Sequence, residues 1–279
     1  MNNIKVRVFR YDPSVDKEPR YDNFIIPYDE KMRVLDSLNY IRLNFDSTLA
    51  FRCSCKSRRC GVCGVLVNGV PQLACWEPAQ DEMVIEPLPK FPVIRDLVID
   101  RTGYDATREK MSLTLHRSKP HTFPEKIELA DHFRLYELDT CIECLLCISV
   151  CPAFYGWEEF KGPVTMLLLS KFAIDPRDGF DRITKAVQTH IHDCMSCYEC
   201  QEVCPLGIRV IDCGIELLRK KCIAHRAGPE LNYVNAFMDQ LKEQGIIDPI
   251  RLFIRVKGWR AYKELPTGFK MFSRKSRIK

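Results

Sequence analysis

Apolar and polar residues alternate at Ile4, Val6 and Val8, and again at Phe24, Ile26 and Tyr28. That period of two predicts a pair of half-buried strands bracketing the turn residues Asp12-Pro13-Ser14. Val34, Leu35, Leu38 and Ile41 then recur at helical spacing. Beyond a cysteine-dense loop, Val65-Leu66-Val67 runs into Asn68-Gly69, a two-residue hairpin signal, and Met83-Val84-Ile85 adds another strand. Two strands, a helix and further strands make a small α+β unit. From about Asp105 the pattern changes to longer helical stretches, among them Pro163 to Ile174 and Ile211 to Ala224, separated by two similar cysteine runs.

A length of 279 residues suggests about two domains, and 46% hydrophobic with 28% charged residues is a globular balance. Met1-Asn2-Asn3 leads straight into the first strand, with neither a signal-peptide nor a transit-peptide pattern. The expectation is a prokaryotic-type cytoplasmic chain, peripheral on the cytoplasmic face of a membrane. The longest apolar run outside the cysteine motifs, Met166 to Leu169, stops at Lys171, far short of the ~20 residues of a membrane span. Net charge is +5, concentrated near the end, where Arg251, Arg255, Lys257, Arg260, Lys263, Lys270, Arg274, Lys275, Arg277 and Lys279 face one acid, Glu264. This basic, aromatic-rich extension, residues 236–279, has three readings: docking to a partner subunit, attraction to anionic lipid, or a solvated end. Nucleic acid is set aside once redox sites are recognised.

The compositional outlier is cysteine, at 15 residues. Cys55, Cys60, Cys63 and Cys75 have the spacing of a plant-type [2Fe-2S] site, in which one tight loop supplies three thiolates. Gly61 and Gly64 allow the backbone to turn there. Two further runs, Cys141-x2-Cys144-x2-Cys147-x3-Cys151-Pro152 and Cys194-x2-Cys197-x2-Cys200-x3-Cys204-Pro205, have the bacterial ferredoxin spacing. The fourth cysteine of such a run ligates the other cluster. Cys141, Cys144, Cys147 and Cys204 are therefore assigned to one [4Fe-4S] site, and Cys151, Cys194, Cys197 and Cys200 to a second.

A zinc-stabilised interaction module is the alternative of another class, but structural zinc takes its ligands as separated pairs. Strain between neighbouring cysteines counts against disulfides. Cys53, Cys213 and Cys222 fit no motif and read as small buried hydrophobes. No catalytic residue or substrate site is visible in the chain. The fold class expected is α+β: a β-grasp plant-type ferredoxin domain over 1–105, then an all-α bacterial-ferredoxin-like two-cluster domain over 106–235.

This order of sites resembles the iron–sulfur subunit of succinate dehydrogenases and fumarate reductases. The likeness rests on Arg52, Cys55, Cys60-Gly61-Val62-Cys63, Asn68-Gly69, Leu73-Ala74-Cys75, Pro87-Leu88, Phe91 to Leu97, and Cys141-Ile142-Glu143-Cys144. It implies a complex of the tricarboxylic acid cycle or of anaerobic respiration. A flavoprotein subunit would interconvert succinate and fumarate on FAD, while this chain relays electrons to a quinone or a thiol/disulfide-type acceptor. An iron–sulfur subunit of another flavin-dependent enzyme, heterodisulfide reductase-like or glycolate oxidase-like, is the nearest redox alternative.

Three departures from the family pattern stand out. Cys197 occupies a position commonly not cysteine, where the third cluster is [3Fe-4S], so a second [4Fe-4S] is expected here. Gly156 aligns where a quinone-contacting tryptophan would stand, and Met195 replaces a histidine after Cys194. These features resemble the branch whose third subunit is a cysteine-rich, heterodisulfide-reductase-like protein in place of a membrane anchor. Finally, Arg58 stands where the family usually has glycine, so the first loop is expected to make its turn differently.

Overall fold

The computed structural model describes residues 3–117, 120, 127–228 and 231–258. Contacts divide the chain into two compact units, Met1–Leu218 and Arg219–Lys279, and the first holds both the sheet and the two cysteine runs.

The opening alternation forms β1 (Asn3–Arg10) and β2 (Arg20–Pro27), antiparallel with Ile4 opposite Ile26. After α1 (Val34–Asn44) come β3 (Gly64–Val67), β4 (Val70–Leu73) and β5 (Glu82–Glu86). The sheet order is β2-β1-β5-β3-β4, with β1 and β5 parallel. Asn68 and Gly69, at φ +50° and +82°, make the hairpin turn between β3 and β4 that their identities predict. Ile4, Val6 and Val8 of β1 and Met83 and Ile85 of β5 share a core with Leu35, Leu38 and Ile41 of α1. A small ribbon, β6 (Val93–Arg95) and β7 (Val98–Ile99), and α2 (Thr102–Lys110) complete this part.

Arg10 stands on the same inward face of β1 as Ile4, Val6 and Val8 and is only 3% exposed. Its guanidinium is held by four partners brought from three separate segments. Nε donates to Asp96 at 3.0 Å, Nη1 to Asp22 at 3.1 Å and to Asp46, and Nη2 to Thr48 at 2.9 Å. Asp96 also accepts from the Tyr11 and Ala50 amides at 3.0 and 2.8 Å, so this buried pair is fully hydrogen-bonded. Thr48 and Arg10 together hold the Asp46 carboxyl down to about 2.

The cysteine runs lie in a helical array: α3 (Leu129–Asp139), α4 (Leu146–Val150), α5 (Pro163–Ile174), α6 (Arg182–Gln188) and α7 (Glu199–Glu202). α5 is buried on nearly every side, from Pro163 through Ser170 and at Phe172, as an apolar helix at the centre of a packed array must be. The expected helix from Ile211 to Ala224 differs in its first half. Val210–Ile215 is a π turn, followed by α8 (Glu216–Ala224). The wider turn sets Gly214 against α5, where a Cβ would stand 2.9 Å from Leu167.

The second unit contains α9 (Asn232–Gln244) and α10 (Pro249–Lys257). The Asp248 side chain caps α10 through the Ile250 and Arg251 amides, and Arg255 pairs with Glu243 at 2.9 Å. The rest of the basic extension, Arg260 onward, lies outside the described residues. No described helix is long and apolar enough to cross a membrane.

Arg10→Met leaves three carboxylates around an emptied site and is expected to destabilise the sheet by about 3–5 kcal/mol. The exposed Lys5–Glu82 pair is the control: Lys5→Met should leave the protection of both strands nearly unchanged. Hydrogen exchange of the β1 and β2 amides checks both; equal protection in the two variants would contradict the role given to Arg10.

Candidate metal centres

The three cysteine groups occupy three loops whose backbones share one device. Between the motif cysteines stand residues in the left-handed region: Lys56 and Arg58 at φ +54° and +55°, Glu143 and Leu145 at +51° and +67°, Ser196 and Tyr198 at +54° and +68°. Each reversal turns the chain back, so that successive thiols face one space.

In the first loop the Ser57 and Arg59 amides point at Cys55 Sγ, at 3.4 and 3.2 Å, and hold its thiol down to about 6. Cys63 and Cys75 are buried, and burial pushes Cys63 up to about 12. Gly61 has the left-handed φ of +69° expected of a turn glycine, whereas Gly64 serves packing: a Cβ there would stand 3.0 Å from Leu88 and 3.2 Å from Leu146. Arg58 corrects one expectation. With φ +55° it keeps the conformation a glycine would take, so the turn is made in the usual way by a residue strained in doing so. Its head group is engaged: Nη1 donates to the Pro205 carbonyl at 3.0 Å and the guanidinium lies 4.2 Å over Trp76.

Cys141, Cys144, Cys147 and Cys204 line one cavity of about 30 Å³, walled by Val164, Leu167, Ile208 and Val210. Burial pushes Cys141 up to about 12 and Cys144 to about 11, and it raises Cys147 well above the ordinary thiol value. The other four thiols are also neighbours: burial raises Cys151 and Cys200, with Cys194 adding to both and Cys197 to Cys200. The structure thus brings Cys204 to the first run and Cys151 to the second. Among the described residues no three His, Cys, Asp or Glu side chains close on a point that a single ion would fill. Thiols that resist ionisation in an apolar space suit a multi-iron core, whose positive charge favours the thiolate. This donor set fits iron–sulfur clusters.

Residues outside the motifs hold the loops. Tyr104, fully buried on α2, donates its hydroxyl to Glu143 at 2.6 Å; Arg108 pairs with the same carboxylate at 3.1 Å, and Arg101 donates to the Glu143 carbonyl at 3.1 Å. Burial, reinforced by Glu143, pushes the Tyr104 phenol well up, so it stays a donor. Lys90 donates to the Cys151 carbonyl, and Trp157 packs among Phe91, Tyr104 and Phe154. In the third loop, Ser196 reaches Glu216 at 3.3 Å and Tyr198 reaches Asp212 at 2.9 Å. None of these partners follows from cysteine spacing. Of the three unassigned thiols, Cys222 is buried, while Cys53 and Cys213 are half-buried.

Comparison with known proteins agrees with the geometry. Residues 5–106 match the family model of a 2Fe-2S iron-sulfur cluster binding domain, and residues 137–208 that of a 4Fe-4S dicluster domain. The fumarate reductase iron-sulfur subunit of Escherichia coli is 35% identical over 213 residues, 74% of this chain and 87% of that protein. The chain belongs to the fumarate reductase/succinate dehydrogenase iron–sulfur subunit family.

Another family relative, a fumarate reductase (CoM/CoB) subunit of Methanothermobacter marburgensis, is 39% identical over 226 residues, 81% of this chain but 46% of that protein. The chain spans about half the length of that and other archaeal relatives. Among solved structures, a chain of the Mycobacterium smegmatis Sdh1 complex in the apo form has a TM-score of 0.73 at 26% identity, over 80% of this chain and 97% of that one.

Membership gives meaning to one close approach. A Cβ on Gly61 would lie 2.6 Å from the Ile142 carbonyl oxygen and 3.0 Å from Cys144 Cα, so the first cysteine loop rests directly on the second. Gly61→Ala must part the loops and strain φ, and is expected to destabilise by about 1–3 kcal/mol. The apparent Tm of the loaded protein should fall by roughly 2–10 °C; no change would mean the two loops separate freely.

Proposed function

We propose that this chain relays electrons one at a time between the FAD of a flavoprotein subunit and an acceptor subunit, in a complex that interconverts succinate and fumarate. The observation that carries the reading is contiguity. Gly61 beside Cys60 abuts Cys144, and Cys147 in turn neighbours Cys200, so the three thiol sites adjoin in the order of a relay.

Cys55, Cys60, Cys63 and Cys75 would hold a [2Fe-2S] cluster. Cys141, Cys144, Cys147 and Cys204 would hold a [4Fe-4S] cluster, and Cys151, Cys194, Cys197 and Cys200 a second. Bound there, the clusters supply one-electron chemistry without making or breaking bonds to a substrate. The chain's own groups fix the sites: amides directed at Cys55, apolar walls around Cys204, and the Tyr104–Glu143–Arg108 group behind Cys144.

For the acceptor we favour a cysteine-rich thiol/disulfide-type subunit over a quinone-binding membrane anchor. Cys197 is exposed, Met195 two residues before it is 62% exposed, and the Methanothermobacter relative is named for CoM/CoB. A fourth thiol at this site supports [4Fe-4S] in place of [3Fe-4S].

Anaerobic EPR with an iron and labile-sulfide count tests the whole assignment. About ten irons are expected, from one two-iron and two four-iron clusters, with no [3Fe-4S] signal on oxidation. Cys197→Ser should lose one iron and gain that signal while the other two clusters persist. An oxidised [3Fe-4S] signal in the parent, surviving strict anaerobiosis, would remove Cys197 from the ligands and restore quinone as the acceptor.

A further inference from the structure

Arg58 belongs to two sites at once. Its backbone lies in the first loop, between Cys55 and Cys60, yet its side chain donates to the carbonyl of Pro205, the residue bonded to Cys204. The two halves of this bridge are 147 positions apart in sequence. The guanidinium is fixed in orientation by stacking 4.2 Å over Trp76, which itself follows Cys75. The stretch is thus a three-point lock: first-loop backbone, the turn after β4 that carries Cys75 and Trp76, and second-site loop.

The position is also held against a conformational cost. A non-glycine residue at φ +55° is disfavoured relative to glycine, so the side chain brings something the backbone alone does not need. The charge stands at a cleft of about 290 Å³ lined by Trp76, Cys204 and Pro205. Glu77 and Glu202 line the same cleft, but among the described residues neither forms an ion pair with Arg58. The guanidinium is thus part-buried, and the two carboxylates that share its cleft form no ion pair with it.

We infer that Arg58 is a positioning residue for the electron step between the [2Fe-2S] site and the adjoining [4Fe-4S] site, locking their loops together and placing one fixed positive charge beside both. The inference rests on the cluster assignment proposed above. In the step, one electron leaves the first site and arrives at the second, so one is oxidised and the other reduced, with no proton moved and no bond changed. A cation near both favours the reduced form of each, because reduction adds negative charge to a thiolate-ligated core.

The test is a potentiometric EPR titration of the full-length loaded protein, with iron and sulfide counted in every sample. Arg58→Gly removes lock and charge while relieving the backbone; Arg58→Gln removes the charge but keeps an N–H donor on a shorter side chain. Both are expected to lower the reduction equilibrium constant of both clusters by roughly threefold to tenfold. Arg58→Lys restores the charge and should return both to within about twofold of the parent, on the same reasoning. Arg58→Gly should also weaken the magnetic interaction between the two reduced clusters.

Unchanged potentials in a fully loaded neutral variant, a shift confined to the [2Fe-2S] signal, or failure of lysine to rescue would each overturn the inference. Should the glycine variant not load, the glutamine and lysine pair still decides it. A parent lacking either signal would instead remove the cluster assignment itself, and the inference with it.

Discussion

A cysteine sulfur reaches only a short way from its backbone, so four of them can surround one inorganic core only where the chain doubles back between them. That constraint governs the whole of the first unit. Each of the three loops meets it by placing two residues other than glycine in the left-handed region: Lys56 and Arg58, Glu143 and Leu145, Ser196 and Tyr198. Each such residue costs about 1–2 kcal/mol relative to ordinary backbone. Neighbouring structure must therefore hold it there.

The holding is done largely by the side chains of the same residues. Glu143 is gripped by Tyr104 and Arg108, Ser196 by Glu216, Tyr198 by Asp212, and Arg58 by Pro205 and Trp76, while Leu145 is sealed in the core. The choice of residue between the cysteines is thus not free filler. It supplies the anchor that keeps an unfavourable turn in place, and the anchors tie the sheet to the helical array. Leu145 and Tyr198 also open the short helices α4 and α7, where their carbonyls accept the first helical bonds: from Ile148 and Ser149 at Leu145, and from Gln201 and Glu202 at Tyr198.

The sequence makes the cysteine pattern and the alternation of β1 and β2 plain because both are local. Spacing within a run and period within a strand are complete in a few residues, and Asn68-Gly69 announces its own turn. The roles of Arg10, Arg58, Tyr104 and Trp157 are illegible there for the opposite reason. Arg10 interrupts the apolar face of β1, and nothing nearby indicates that Asp96 will arrive to receive it. Glu143 reads as a spacer in a metal motif until α2 supplies Tyr104 from 39 positions away. The π turn at Val210–Ile215, which sets Gly214 against Leu167, is likewise something helical periodicity does not register.

The exchange of fourth cysteines has a consequence for how such a protein is made. Cys204 stands in the pocket of Cys141, Cys144 and Cys147, while Cys151 stands with Cys194 and Cys200. A nascent chain that has emerged only through α5 therefore presents two incomplete sets of thiols and can finish neither. On the assignment proposed above, both centres can close only once the second run has been synthesised and folded back. Until then neither set of four thiols is complete, because each waits for a cysteine from the other run.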